Sequence, residues 1–109
     1  MGDESLEHVL VEVATGLWRL QRRLDAGTPE ARQVRRIFDV LGDADIRIDD
    51  HHGVTFDPGL AIDVVAYLPT DGVTREQVIE TERPSIYRGA ATLQRGRVIV
   101  GVPVGGESA

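Results

Sequence analysis

Residues 6–24 read LEHVLVEVATGLWRLQRRL, and their spacing decides the first half of the fold. Leu6, Leu10, Val13, Leu17, Leu20 and Leu24 step by 4, 3, 4, 3 and 4. Those steps keep all of them on one stripe of an α-helix, the a/d seam of a heptad. Val9 and Ala14 widen the stripe. Asp3, Glu4 and Glu7 suit the positive N-terminal end of a helix dipole, and Arg19, Arg22 and Arg23 its negative C-terminal end. Gly27 is the expected stop.

Thr28-Pro29-Glu30-Ala31 follows, an N-cap with proline at the first helical position. The second helix carries Ala31, Val34, Phe38 and Leu41 at steps of 3, 4 and 3, with Ile37 beside them and Gly42 as its end. Two amphipathic helices on a tight turn form an αα-hairpin. A hairpin alone cannot hide both stripes, so it packs on the rest of the chain or on a second copy. Two copies make a four-helix bundle.

Beyond residue 43 the pattern turns to short strands and turns. Ile46-Arg47-Ile48 alternates, Asp49 to Gly53 is polar, and Phe56-Asp57-Pro58-Gly59 has turn chemistry. Leu60 to Leu68 is apolar and rich in β-branched residues, and Asp71-Gly72 is a loop. Gln77 to Glu82 reads as a strand ending at Arg83-Pro84. Ala91 to Gln94 and Arg97 to Val102 flank Arg95-Gly96 like a hairpin, with Val98, Val100 and Val102 on one face. The tail from Gly105 to Ala109 is expected to fray. The predicted class is α+β: a helical hairpin over 1–43, then a small all-β domain over 44–109.

Composition narrows the partners. A chain of 109 residues buries only about 60–65% of its unfolded surface, so self-association is expected. Its net charge of −6 opposes binding to a phosphate backbone, which argues against nucleic acid. The twelve basic residues are all Arg. Cysteine is absent, which excludes disulfides, thiolate zinc sites and thiol catalysis and fits a reducing cytoplasm. No apolar run approaches the roughly 18 residues of a membrane span, and the N-terminus is acidic, unlike a secretory leader.

Few residues invite chemistry. Asp49-Asp50-His51-His52 has metal-ligand types, but adjacent strand residues point to opposite faces. A solvated turn is the expected reading, and a metal enzyme using His51 and His52 the rival one. His8 is expected on a helix surface. Ser5, Ser85 and Ser108 sit in no Gly-x-Ser-x-Gly turn, and Gly105-Gly106 opens no helix that could cradle phosphate. No catalytic residue, metal site or cofactor is therefore assigned. Arg19, Arg22, Arg23, Arg32, Arg35 and Arg36 gather at the helix turn. They make either a solvated face paired to Asp25, Glu30 and Asp39 or a basic edge for an acidic partner. Trp18 beside Leu17 is expected to pack on the bundle flank; an exposed Trp would mark an interface.

The second half resembles the β-domain of the GrpE family of nucleotide exchange factors. Gly53-Val54-Thr55-Phe56-Asp57-Pro58-Gly59-Leu60 is similar to that family's Gly-x-x-Phe-Asp-Pro-x-Leu segment, and a helix ending in Val40-Leu41-Gly42 precedes it. Residues 78–101, VIETERPSIYRGAATLQRGRVIVG, keep step without a gap at Arg83-Pro84, Gly89, Leu93 and Arg97-Val98-Ile99-Val100. The departures are Ser85-Ile86 for a Gly-Tyr, with Tyr87 one place on, Gln94-Arg95-Gly96 for Arg-Pro-Ala, and Ala61 for a His. The likeness covers residues 40–102; over the helices it is one of order and pattern. The chain reads as a short form, expected to lack the long paired helices that precede the bundle in that family.

The resemblance implies a homodimer built on a four-helix bundle, through Leu6, Leu10, Val13, Leu17, Leu20, Leu24, Val34, Phe38 and Leu41. It implies a β-domain that docks on the ATPase domain of a DnaK-type chaperone and promotes ADP release. No catalysis and no cofactor are needed. Family contact positions fall near Glu82 and Val100. Arg83, Tyr87 and Arg88 join them because Tyr and Arg are favoured at binding hot spots. A related expectation is a GrpE-like binding or scaffolding module without exchange activity.

Overall fold

A computed structural model describes residues 3–105. In chain order the elements are helices α1 (Asp3–Arg23) and α2 (Pro29–Asp43), then strands β1 (Ile46–Asp49), β2 (Ile62–Thr70), β3 (Gln77–Arg83), β4 (Ser85–Arg88), β5 (Ala91–Gln94) and β6 (Gly96–Pro103). The molecule is α+β, a helical pair followed by two three-stranded sheets of order β1-β4-β5 and β2-β6-β3.

Helix α1 ends at Arg23, four residues before the expected stop at Gly27, so Leu24 of the seam lies just beyond it, whereas α2 begins where Thr28-Pro29 indicates. Gly27 takes a positive φ of 88°, which a side chain would resist. Thr28 caps α2: its Oγ1 accepts from the Ala31 N–H at 3.1 Å, and Pro29 needs no partner for its nitrogen. Helix α2 runs one residue past Gly42, and the chain then turns at Asp45, whose φ is 66°. The expected fraying falls, for residues 106–109, outside the described residues, as does Ser108.

Two compact units arise from this order, and they do not divide at residue 43. The first takes the chain through Ile48 together with Ile86–Gln94, so β4 and β5 group with the helices. Its core is Ala14, Ile46 and Ile86, with Leu10, Val11, Leu41, Ile48 and Leu93 packed around them. Trp18 and Val34 are also buried. The second takes Asp49–Ser85 and the chain from Arg95 onward, with a core of Ile62, Val78, Val98 and Val100 sealed by Phe56, Leu60 and Val64.

The expected hairpin between residues 91–94 and 97–102 does not form. β5 pairs antiparallel with β4 across the turn at Gly89-Ala90, whereas β6 lies between β2, parallel, and β3, antiparallel. Gly89 has a φ of 58°, the geometry a tight hairpin turn requires. Arg95-Gly96 is therefore a crossing from one sheet to the other. Val98 and Val100 do share a buried face.

Candidate functional site

Ser85, fully buried where β3 passes into β4, is a polar group held by three partners. Its Oγ donates to the Ala61 carbonyl at 2.6 Å and accepts from the Gly96 N–H at 3.1 Å. His51 Nε2 lies 2.8 Å from the same oxygen. A carbonyl can only accept, so the one serine proton is directed at Ala61 and Nε2 must carry a hydrogen that it gives to Ser85. Three segments distant in sequence thus meet on one hydroxyl. A Cβ at Gly96 would stand 2.9 Å from Ser85 Oγ and 3.2 Å from the Arg83 carbonyl, so the approach requires glycine.

His51 is therefore not the solvated turn residue expected from its polar neighbours. It is 4% exposed, with φ at 59°, and its N–H donates to Asp49 Oδ1 at 3.0 Å. His52 is exposed as expected. Asp49 Oδ2 stands 3.7 Å from His51 Nδ1, so Asp49, His51 and Ser85 fall in the order of a hydrolytic triad. The proton direction is the reverse of nucleophile activation, however, because the imidazole donates to a serine that no solvent reaches. Among the described residues no three His, Cys, Asp or Glu side chains gather as a metal-binding group.

The residues assigned to partner contact do not form one cluster. Glu82, Arg83 and Val100 belong to the second unit, Tyr87 and Arg88 to the first. Val100 is fully buried in the core of its sheet, so it cannot meet a partner. It alternates with Ile99 along β6 and takes the inward position. Glu82 is exposed and lies 3.8 Å from Arg97 Nε. Arg83 is half-buried and donates to the Arg95 carbonyl at 3.1 Å. Tyr87 is half-buried with the Arg47 guanidinium 4.7 Å from its ring centre, and exposed Arg88 lies 3.8 Å from Glu7.

The second unit also leaves several apolar side chains in solvent that the sequence alone does not single out. Val54, Val65, Tyr67 and Leu68 are exposed, and Tyr67 meets Phe56 edge to face at 6.3 Å. Strand order was the missing signal. β2 is an edge strand, and its register shifts between Val64 and Ala66, which breaks the strict alternation of faces. Segment 53–56 instead covers the free edge of β3, with Phe56 N–H donating to the Glu76 carbonyl at 2.9 Å.

The helical seam divides in two. Leu6, Val13 and Leu20, spaced by seven residues, remain 49%, 48% and 46% exposed, and Val9 lies beside them. Leu10, Leu17 and Leu24 are half-buried, as are Phe38 and Leu41. Val34 is buried within the chain itself and does not belong to an outward seam. The inward face of α1 is instead Ala14, Thr15 and Trp18. His8 is exposed as expected. No described helix is long and apolar enough to cross a membrane. No family model matches the chain, and no curated protein matches it.

Proposed function

We propose that this chain is a GrpE-like co-chaperone that binds the ATPase domain of a DnaK-type chaperone and promotes ADP release. The observation that carries the reading is the ordered run of GrpE-like segments, Gly53–Leu60 and then Arg83-Pro84, Gly89, Leu93 and Arg97–Val100. The order of a helical pair followed by two small sheets agrees with it. The open row of Leu6, Val9, Val13 and Leu20 supports a homodimer, because apolar residues at heptad spacing are stabilised by a facing helix. The absence of cysteine suits a cytoplasmic setting.

The mechanism is linkage rather than catalysis. A factor that binds the open nucleotide cleft better than the closed one lowers nucleotide affinity by the same ratio. No side chain has to move a proton, and no cofactor takes part. In the second unit the exposed Tyr67, Val65 and Glu82 and the half-buried Arg83 are among the groups open to a partner. The test is release of fluorescent ADP from a preloaded DnaK-type chaperone. Acceleration that rises with added protein and saturates is expected; unchanged release at saturating protein rejects exchange activity.

A second reading, a GrpE-like binding module without exchange, is favoured by two positions. Val100 is withdrawn into the core, and Glu82 puts a charge where the family contact is apolar. Chaperone binding without faster release would select this reading.

A further inference from the structure

The turn end of the helical pair carries a charge opposite to the rest of the chain. Residues 19–36 hold six of the twelve arginines but only two of the eighteen acids, so this segment is net +4 and the remainder net −10. Arg19, Arg22 and Arg23 lie at i, i+3 and i+4 on α1, and Arg32, Arg35 and Arg36 repeat that spacing on α2, so each trio shares one helix face. All six are exposed. The ion pairs expected with Asp25, Glu30 and Asp39 do not form for Arg19, Arg23, Arg35 or Arg36 among the described residues.

Two of these guanidinium groups are held in place. Arg22 sits 4.5 Å from the ring centre of buried Trp18, and an Arg32 Nη1 hydrogen is donated to the Gly27 carbonyl. Between the helices at this end runs a groove with Leu24 and Ala31 in its wall and Arg32 and Arg35 at its rim. An apolar wall with a basic rim fits an apolar side chain flanked by carboxylates. Guanidinium forks match carboxylates in two-point contacts, and groups already held lose less freedom on binding.

From these features we infer that the α1–α2 turn is a docking site for an acidic polypeptide segment bearing an apolar side chain. A nucleic acid fits poorly, because its charge extends beyond the patch toward a net −10 remainder and its phosphates make no use of the apolar wall. The inference stands apart from the exchange reading; either can fail alone.

The test is fluorescence anisotropy with the full chain at about 0.15 M salt. The probes are a short labelled peptide of glutamates with a central leucine, the same peptide with glycine in its place, and a single-stranded oligothymidylate of equal charge. The leucine peptide is expected to bind about fivefold more tightly than the glycine peptide, the effect of half-burying one leucine. Arg35→Glu with Arg36→Glu should weaken it about tenfold or more, and Arg75→Glu, an exposed loop change elsewhere, less than about twofold. If the double charge reversal lowers helicity, Arg35→Gln with Arg36→Gln must still weaken binding. The inference is overturned by no binding of the leucine peptide, by equal affinity for the two peptides, by tighter binding of the oligonucleotide, or by an equal loss in Arg75→Glu.

Discussion

Replacing Ser85 with alanine removes one oxygen and leaves three former partners in different positions. The Gly96 N–H still reaches the Ala61 carbonyl at 2.9 Å, so those two groups stay paired. His51 Nε2–H loses its only acceptor inside a residue that is 4% exposed. An orphaned buried donor costs about 1–3 kcal/mol. Ser85→Ala should therefore cost about 2 kcal/mol, lowering the melting temperature by about 8 °C. His51→Phe removes the donor itself and leaves Ser85 bonded to Ala61 and Gly96. Its cost is the loss of the histidine fit and of a residue tolerant of a φ of 59°. In the double variant no donor is orphaned, so its cost should equal that of His51→Phe alone. The coupling between the two positions is then about 2 kcal/mol.

Urea unfolding of the four proteins at one fixed concentration measures this cycle, because the stability of the proposed homodimer would vary with concentration. Circular dichroism follows the whole chain, and Trp18 fluorescence reports on the first unit alone. Costs that add to within about 0.5 kcal/mol would refute the shared bond and, with it, the assigned proton directions.

Leu20→Asp should leave the folded helix intact, because Leu20 is 46% exposed, yet weaken a homodimer at least about 100-fold by burying an unpaired charge. Sedimentation gives the mass, and an unchanged mass with unchanged helicity counts against the seam; Leu17→Asp is the less clean variant, since Leu17 is half-buried within the chain. Gly96→Ala should cost about 2 kcal/mol or more in thermal unfolding, as its Cβ would lie 2.9 Å from Ser85 Oγ and meet backbone behind it. Gly42→Ala, in helical backbone with nothing within 4 Å, should instead stabilise by about 0.5–1 kcal/mol, and a measured loss would reject the helical assignment there. Thr28→Ala should cost about 1 kcal/mol by removing the cap on the Ala31 N–H, read as lost helicity and a lower midpoint.

The helices were legible because their signals are local. Seam spacing, Thr28-Pro29 and Gly27 each act within one or two turns; the structure starts α2 at Thr28-Pro29 as they indicate, while α1 stops at Arg23, four residues short of Gly27. The strands from Ile46, Ile62 and Gln77 were legible for the same reason. Pairing was not, because it depends on contacts distant in sequence. Nothing within residues 91–102 reveals that β5 returns to β4 while β6 enters between β2 and β3. His51 was misread for a related reason. Three polar neighbours suggest solvent, but the acceptor that allows its burial lies 34 residues away at Ser85. The contact residues suffered most, since Val100 and Ile99 look alike until the sheet assigns each a face.

The positions where the sequence departs from the GrpE pattern bear on which of the two functional readings deserves the first experiment. Ser85 and Ile86 stand where that family has a Gly-Tyr, and both are fully buried. Ser85 anchors the polar hub of one unit, and Ile86 fills the core of the other. These substitutions therefore alter packing rather than the surface a partner would meet. By contrast, Glu82 is exposed, and its carboxylate is engaged at 3.8 Å by Arg97. Unlike Ser85 and Ile86, Glu82 changes a candidate contact directly. Glu82→Leu separates the readings: if it confers or increases ADP release without changing the unfolding midpoint, the charge at this position had limited exchange. If chaperone affinity and release are both unchanged, residue 82 lies outside the docking surface, and the exposed edge at Val65 and Tyr67 becomes the place to look.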